Sequence, residues 1–283
     1  MPTRKEVLYL RWFLGFNVLA LVIFLAMAID HFLLQNYRVT KQIEQLGGNI
    51  YGTEPGVFLA FFPANWQKPI SEVLPCETVT RLDLDETNIS NLDLSNLLGN
   101  RNLNLKSINF SNAQIGNSGL AQLKGHNRLE TIGLSYTQVG DSGLAHLKVL
   151  ANLENLWLRD TQVGDHGLLH LKSIKSLKFL WLDNTQVGDA GLMHLAGNTN
   201  LERISLKGTK VSDAGLVHLK SIVSLEYLDL SNTQVGDAGL IHLEALNYLG
   251  TLYIRGTHVT PAGIGKLRTA LPNCAIVSNF SIQ

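Results

Sequence analysis

The chain has 283 residues, 45% of them hydrophobic, with 23 basic against 23 acidic side chains. That length and apolar content can bury a large core, which excludes a disordered or fibrous chain. A net charge of zero leaves no global field to recruit nucleic acid, so no nucleic-acid partner is expected.

Residues 12–29 read WFLGFNVLALVIFLAMAI, with Asn17 the one strongly polar side chain. A run of that length is about the shortest helix that crosses a bilayer. Phe32, Leu33 and Leu34 prolong it, so residues 1–34 are read as a cytoplasmic tip and a transmembrane anchor, meeting the membrane through residues 12–34. Arg4, Lys5 and Arg11 precede the run and hold the N-terminus in the cytoplasm. The expected protein is single-pass in the cell membrane, with everything after the anchor extracytoplasmic. The same stretch also fits a cleaved export signal, because Ala26-Met27-Ala28 has the small-residue pattern of a cleavage site. In that case the protein is secreted.

Residues 35–78 are expected to form a juxtamembrane helix and an N-terminal cap. Gln35 to Leu46 reads as a helix stopped by Gly47-Gly48, and Asn49 to Tyr51 as a strand. GVFLAFFPANW, residues 56–66, is too apolar for a linker. It suits a lid over the first repeat, or a loop on a membrane surface.

From residue 79 to 271 the sequence repeats. Leu105, Leu129, Leu153, Leu177, Leu201, Leu225 and Leu249 open successive units 24 residues apart, and a looser unit begins at Val79, making eight. In LEYLDLSNTQVGDAGLIHLEALNY, residues 225–248, Leu228 and Leu230 alternate inward as in a strand, leaving Tyr227, Asp229 and Ser231 outward. Thr233 stands at the turn, where stacked hydroxyls would form a ladder. Asp237 reads as an N-cap, followed by Leu240, Leu243 and Leu246 on one helical face. No such unit buries its own apolar side, so the units must stack, strands along one edge and helices along the other.

The pattern LxxLxLxxTxVxDxGLxHL resembles the leucine-rich repeats of ribonuclease inhibitor and of receptor subunits carrying F-box domains, with Thr in place of the usual Asn or Cys. It is more similar to bacterial, planctomycete-type leucine-rich-repeat proteins, which join TQVGDAGLxHL units to one N-terminal membrane segment and a closing motif like Leu271-Pro272-Asn273-Cys274. No F-box precedes the repeats. The resemblance covers about residues 79–276 and implies an α/β solenoid: a curved parallel sheet with helices on the convex side. Residues 272–283 form the C-terminal cap, where Ala275 to Val277 can add a last strand. Cys76 and Cys274 would lie about eight strand spacings apart, nearly 40 Å, too far for a disulfide.

Function is sought where the repeat varies. The outward strand positions hold Tyr136, Trp157, Arg159, Phe179, Trp181, Asp183, Arg203, Lys207, Tyr227, Asp229, Tyr253 and Arg255. Trp, Tyr and Arg dominate binding hot spots. These side chains can serve a protein or peptide, stack sugar rings on the two tryptophans, or merely cover the sheet. A second candidate is the apolar helix stripe Leu169, Met193, Val217 and Ile241, an oligomer contact or a partly buried flank. His146, His170, His194, His218 and His242 recur in register, as do Asp141, Asp165, Asp189, Asp213 and Asp237. The first set is read as packing and the second as helix caps, so no metal is expected. No nucleophile stands beside a base and an orienting acid, and no glycine-rich phosphate loop occurs. A non-enzymatic binding module without cofactor follows, for an unidentified protein or peptide, with a self-associating cell-envelope component as the alternative.

Overall fold

The computed structural model describes residues 41, 43–45, 47–55, 77–98 and 103–280. The chain divides into two units, residues 1–42 with 54–78 and residues 43–53 with 79–283, and the second holds the repeats. The expected anchor at 12–34 and the apolar stretch at 56–66 lie outside the described residues. Among the described residues no helix is long and apolar enough to cross a membrane.

The second unit opens on a helix end. Gly47 takes a φ of +78°, the left-handed conformation that favours glycine. The Gly48 N–H then donates to the Ile43 carbonyl and the Gly47 N–H to that of Glu44, both at 3.0 Å, closing the helix as a Schellman motif does. A Cβ on Gly48 would lie 2.6 Å from the Leu84 side chain. The helix end is therefore seated against the first repeat.

Strands follow in sequence order. They are β1 (Asn49–Pro55), β2 (Glu77–Asp83), β3 (Ser107–Asn109), β4 (Thr131–Gly133), β5 (Asn155–Trp157), β6 (Phe179–Trp181), β7 (Arg203–Ser205), β8 (Tyr227–Asp229), β9 (Thr251–Tyr253) and β10 (Ala275–Val277). From β2 onward each pairs in parallel with the next. The register steps from Arg81 to Ser107, then by 24 residues at every later pair. Each ladder runs past its strand, as where the Leu158 N–H donates to the Trp181 carbonyl at 2.8 Å.

Helices return along the other side: α1 (Asn91–Leu98), α2 (Asn117–Leu120), α3 (Asp141–Leu144), α4 (Asp165–Leu171), α5 (Asp189–Leu195), α6 (Asp213–Leu216), α7 (Asp237–Leu240) and α8 (Pro261–Ala270). Apolar repeat positions fill the space between the two sides. Leu129, Leu156, Leu180, Ile204 and Leu228 are among them, all with no exposed surface. This is the parallel-sheet solenoid expected from the repeat.

Two repeated devices differ from the sequence reading. The threonine hydroxyls form no ladder between units. Thr137, Thr161, Thr185, Thr209 and Thr233 each donate to the carbonyl three residues back in the same unit, at 2.6–2.7 Å. They close the turn locally because that carbonyl is nearer than the next hydroxyl.

The aspartates are not N-caps of their own helices. That position falls to Gly140, Gly164, Gly188, Ser212 and Gly236, and each aspartate opens the helix one residue later. Its carboxylate instead accepts the backbone N–H of the next unit's cap: Asp141 from Gly164 at 2.6 Å, Asp165 from Gly188 at 2.7 Å, Asp189 from Ser212 at 2.8 Å, Asp213 from Gly236 at 2.6 Å. Asp237 accepts from Thr260 N–H and Oγ1 in the same way, and these bonds hold its carboxyl below the usual carboxylate range.

The carboxylate needs room, and the glycine two residues into the next helix supplies it. A Cβ on Gly167 would stand 2.7 Å from Asp141 Oδ1, and one on Gly191 would stand 2.6 Å from Asp165 Oδ1. The DxG of the repeat is thus a bond between neighbours plus the gap that admits it.

Candidate functional site

Three parallel rows cross the sheet face, each formed by residues 24 apart. One contains Phe179, Arg203 and Tyr227; the second Trp157, Trp181, Ser205, Asp229 and Tyr253; the third Ser111, Ser135, Arg159, Asp183, Lys207, Ser231 and Arg255. The structure brings eleven of the twelve residues of the expected patch into these rows. Tyr136 is the twelfth. It belongs to the turn column beside the third row, with Asp160, Asn184 and Asn232, and takes a φ of +58°. That column otherwise holds Asn, Asp or Gly from residue 112 onward, residues that tolerate the left-handed region, so a tyrosine there is held at a cost of about 1–3 kcal/mol.

The aromatic side chains follow one another from strand to strand. Trp157 and Trp181 are register partners on β5 and β6. Trp181 and Tyr227 then meet at 5.6 Å between ring centroids with a 55° tilt, and Tyr227 and Tyr253 at 5.5 Å with 47°. Such tilted pairs are the favoured arrangement of ring quadrupoles. The small Ser205 between β6 and β8 leaves room for the first contact. Gly133 does the same for Trp157, whose Cε3 would lie 3.2 Å from a Cβ there. Arg203 lies over the Phe179 ring at 5.5 Å from its centroid, a cation–π contact.

Two carboxylates expected to face outward are buried. Asp183 is 4% exposed and Asp229 9%. Arg159 reaches across one strand to Asp183, with Nε 3.6 Å from Oδ2, and that oxygen accepts no hydrogen bond among the described residues. Asp229 Oδ1 accepts the Ser231 N–H at 2.8 Å. Both acids are therefore turned into the wall of the site. Burial pushes the Tyr227 phenol up to about 12, and the charges of Asp229, the neighbouring Tyr253 and Asp183 add to the shift.

At the N-terminal side of the aromatic run lies an open concavity of about 380 Å³, lined by Ser111, Asn112, Ser135, Tyr136, Trp157, Arg159 and Trp181. Its small polar residues carry no signal by residue type, yet they occupy the same rows as the tryptophans or the turn column beside them. Asn109 holds one of them in place: its Oδ1 accepts from Ser111 Oγ at 2.8 Å, and its Nδ2 donates to Asp83 at 3.1 Å. Repeat register is the one sequence signal that finds them.

The helix stripe lies on the opposite side. Leu169, Met193 and Ile241 are 46, 52 and 61% exposed, while Val217 is half-buried. Among the described residues no three His, Cys, Asp or Glu side chains stand close enough to hold an ion. Cys274 is buried with its thiol free, and Cys76 lies outside the described residues.

Known proteins share this repeat and this fold. Residues 101–123 and 223–243 match the family described as Leucine Rich repeat. No curated protein matches the chain by sequence. Among solved structures, internalin C2 from Listeria monocytogenes superposes with a TM-score of 0.52 at 24% identity, covering 69% of this chain and 77% of its own. An internalin (inlF) from the same organism covers 81% of this chain and 99% of its own at 15% identity, with a TM-score of 0.37. In sheet register and fold, the chain forms a solenoid like those of leucine-rich-repeat proteins.

Proposed function

We propose that the chain is a non-enzymatic binding module that takes up a protein partner on its sheet face. The aromatic run from Trp157 to Tyr253, flanked by exposed Arg203, Lys207 and Arg255, carries the reading. Large rings with a polar rim of cations are the composition of an interface hot spot. The left-handed Tyr136 at the edge of the concavity supports it, since a conformation that costs folding energy and fills no core suits a contact made to something else. Among the described residues, none on this face pairs a nucleophile with a base. The apolar run at residues 12–34, preceded by Arg4, Lys5 and Arg11, supports export and membrane anchoring, with cleavage giving a secreted form.

Cross-linking on intact membranes followed by mass spectrometry identifies the partner, and Trp157→Ala with Trp181→Ala then tests the face. Capture should be lost in the double variant at unchanged stability; undiminished capture would refute the site.

Exposed Leu169, Met193 and Ile241 favour a second reading, self-association through the helix side. Met193→Asp with Ile241→Asp would then convert an assembly to monomers in analytical ultracentrifugation. A single sedimenting species, identical in both proteins, would exclude it.

A further inference from the structure

We infer that the segment bound by the sheet face is acidic and extended, with a carboxylate at every third residue of a polyproline-like strand. This rests on the sheet face being a protein-binding surface. The third row alternates along the solenoid: Arg159, Asp183, Lys207, Ser231, Arg255 on successive strands. Asp183 and Ser231 are buried, whereas Lys207 and Arg255 are exposed and the Arg159 side chain is 44% exposed. Accessible cations therefore stand on every second strand.

Spacing selects the ligand's conformation. Neighbouring strands lie about 4.8 Å apart, which puts successive cations roughly 9.6 Å apart. A polyproline II segment rises about 3.1 Å per residue and returns its side chains to one face every three residues, roughly 9.3 Å. A β-strand returns them every two residues, about 6.7 Å, and falls out of step at the second cation. The rings of Trp157, Trp181, Tyr227 and Tyr253 run beside the cations, and flat aromatic surfaces of this kind receive polyproline segments.

Charge selects its sign. The two carboxylates set between these cations are already occupied, Asp183 by Arg159 and Asp229 by the Ser231 amide, whereas Asp83 and Asp85 lie at the N-terminal end of the face. Among the described residues Lys207 and Arg255 meet no carboxylate within ion-pair distance, and Arg203 adds a further exposed cation on the other flank. A cationic ligand lying along Arg159, Lys207 and Arg255 would meet exposed charges of its own sign.

The test is fluorescence anisotropy on the full chain in mild detergent with three labelled peptides. They are a repetitive Glu-Pro-Pro peptide, its Lys-Pro-Pro counterpart, and one of the first composition with the glutamates contiguous. The phased acidic peptide should bind about tenfold more tightly than either of the others. Lys207→Glu with Arg255→Glu, both exposed and checked for folding by circular dichroism, should transfer the preference to Lys-Pro-Pro. Binding of none, equal binding of the contiguous-glutamate or lysine peptide, or a preference unmoved by the charge reversal overturns the inference. The tryptophan pair reports separately on the face itself, so its loss of partner capture alongside any of those results would leave the binding surface standing without its acidic ligand.

Discussion

Replacing Gly191 by alanine places a methyl group 2.6 Å from Asp165 Oδ1, inside the gap through which that carboxylate reaches the Gly188 amide at 2.7 Å. Either the helix shifts or the bond lengthens, at about 1–3 kcal/mol for overpacking of this kind. Helix propensity returns about 1 kcal/mol of that, since the position is inside α5. Asp165→Ala removes a hydrogen bond to a charged acceptor, at about 1.5–3 kcal/mol. The two changes must not add. Once the carboxylate is gone, the nearest neighbours of the new methyl are the Asp165 Cα and the Leu168 side chain, each at 3.2 Å, and the propensity gain remains. The double variant should therefore be more stable than Asp165→Ala by up to about 1 kcal/mol, with a coupling of about 1–3 kcal/mol. Guanidinium unfolding of the full chain in detergent, followed by far-UV circular dichroism, measures all four proteins. A double variant that loses the sum of the single losses would refute the gap as the reason for the repeat's DxG.

Tyr136→Asn relieves a left-handed tyrosine and should stabilise the chain by about 1 kcal/mol, a rise of a few degrees in Tm, while weakening partner binding several-fold. An unchanged Tm would remove the argument from strain. The Asp237 carboxyl lies below its unfolded value of 3.8, so its contribution is full above that value and is lost as pH falls through the folded one. Melting curves across the acid range should show Asp237→Ala destabilised at neutral pH, with the gap from the parent closing below about pH 4; a constant gap would contradict this. Tyr227→Phe should remove a phenol that ionises near pH 12 in an ultraviolet absorbance titration. Persistence of that component would place the raised pKa elsewhere.

The fold is legible because seven units repeat their apolar spacing without insertion, and 24 residues define strand, turn and helix at once. The strand rows follow directly, and with them the neighbourhood of Trp157 and Trp181. What stays hidden depends on partners a unit away. Asp165 has the sequence surroundings of a helix cap, yet its bond goes to Gly188, 23 residues on, which local pattern cannot show. Asp183 occupies an outward position by alternation, but the long Arg159 side chain folds over it and closes it from water. Tyr136 defeats residue-type reasoning because the left-handed turn belongs to its column rather than to tyrosine.

Recognition on the sheet face is tested most directly by site-specific photo-cross-linking. A photoreactive side chain at Tyr253, in the aromatic run, is compared with one at Ala214, exposed on the helix side. A cross-linked partner is expected from position 253 and none from 214; a partner captured from 214 alone would contradict a sheet-face site.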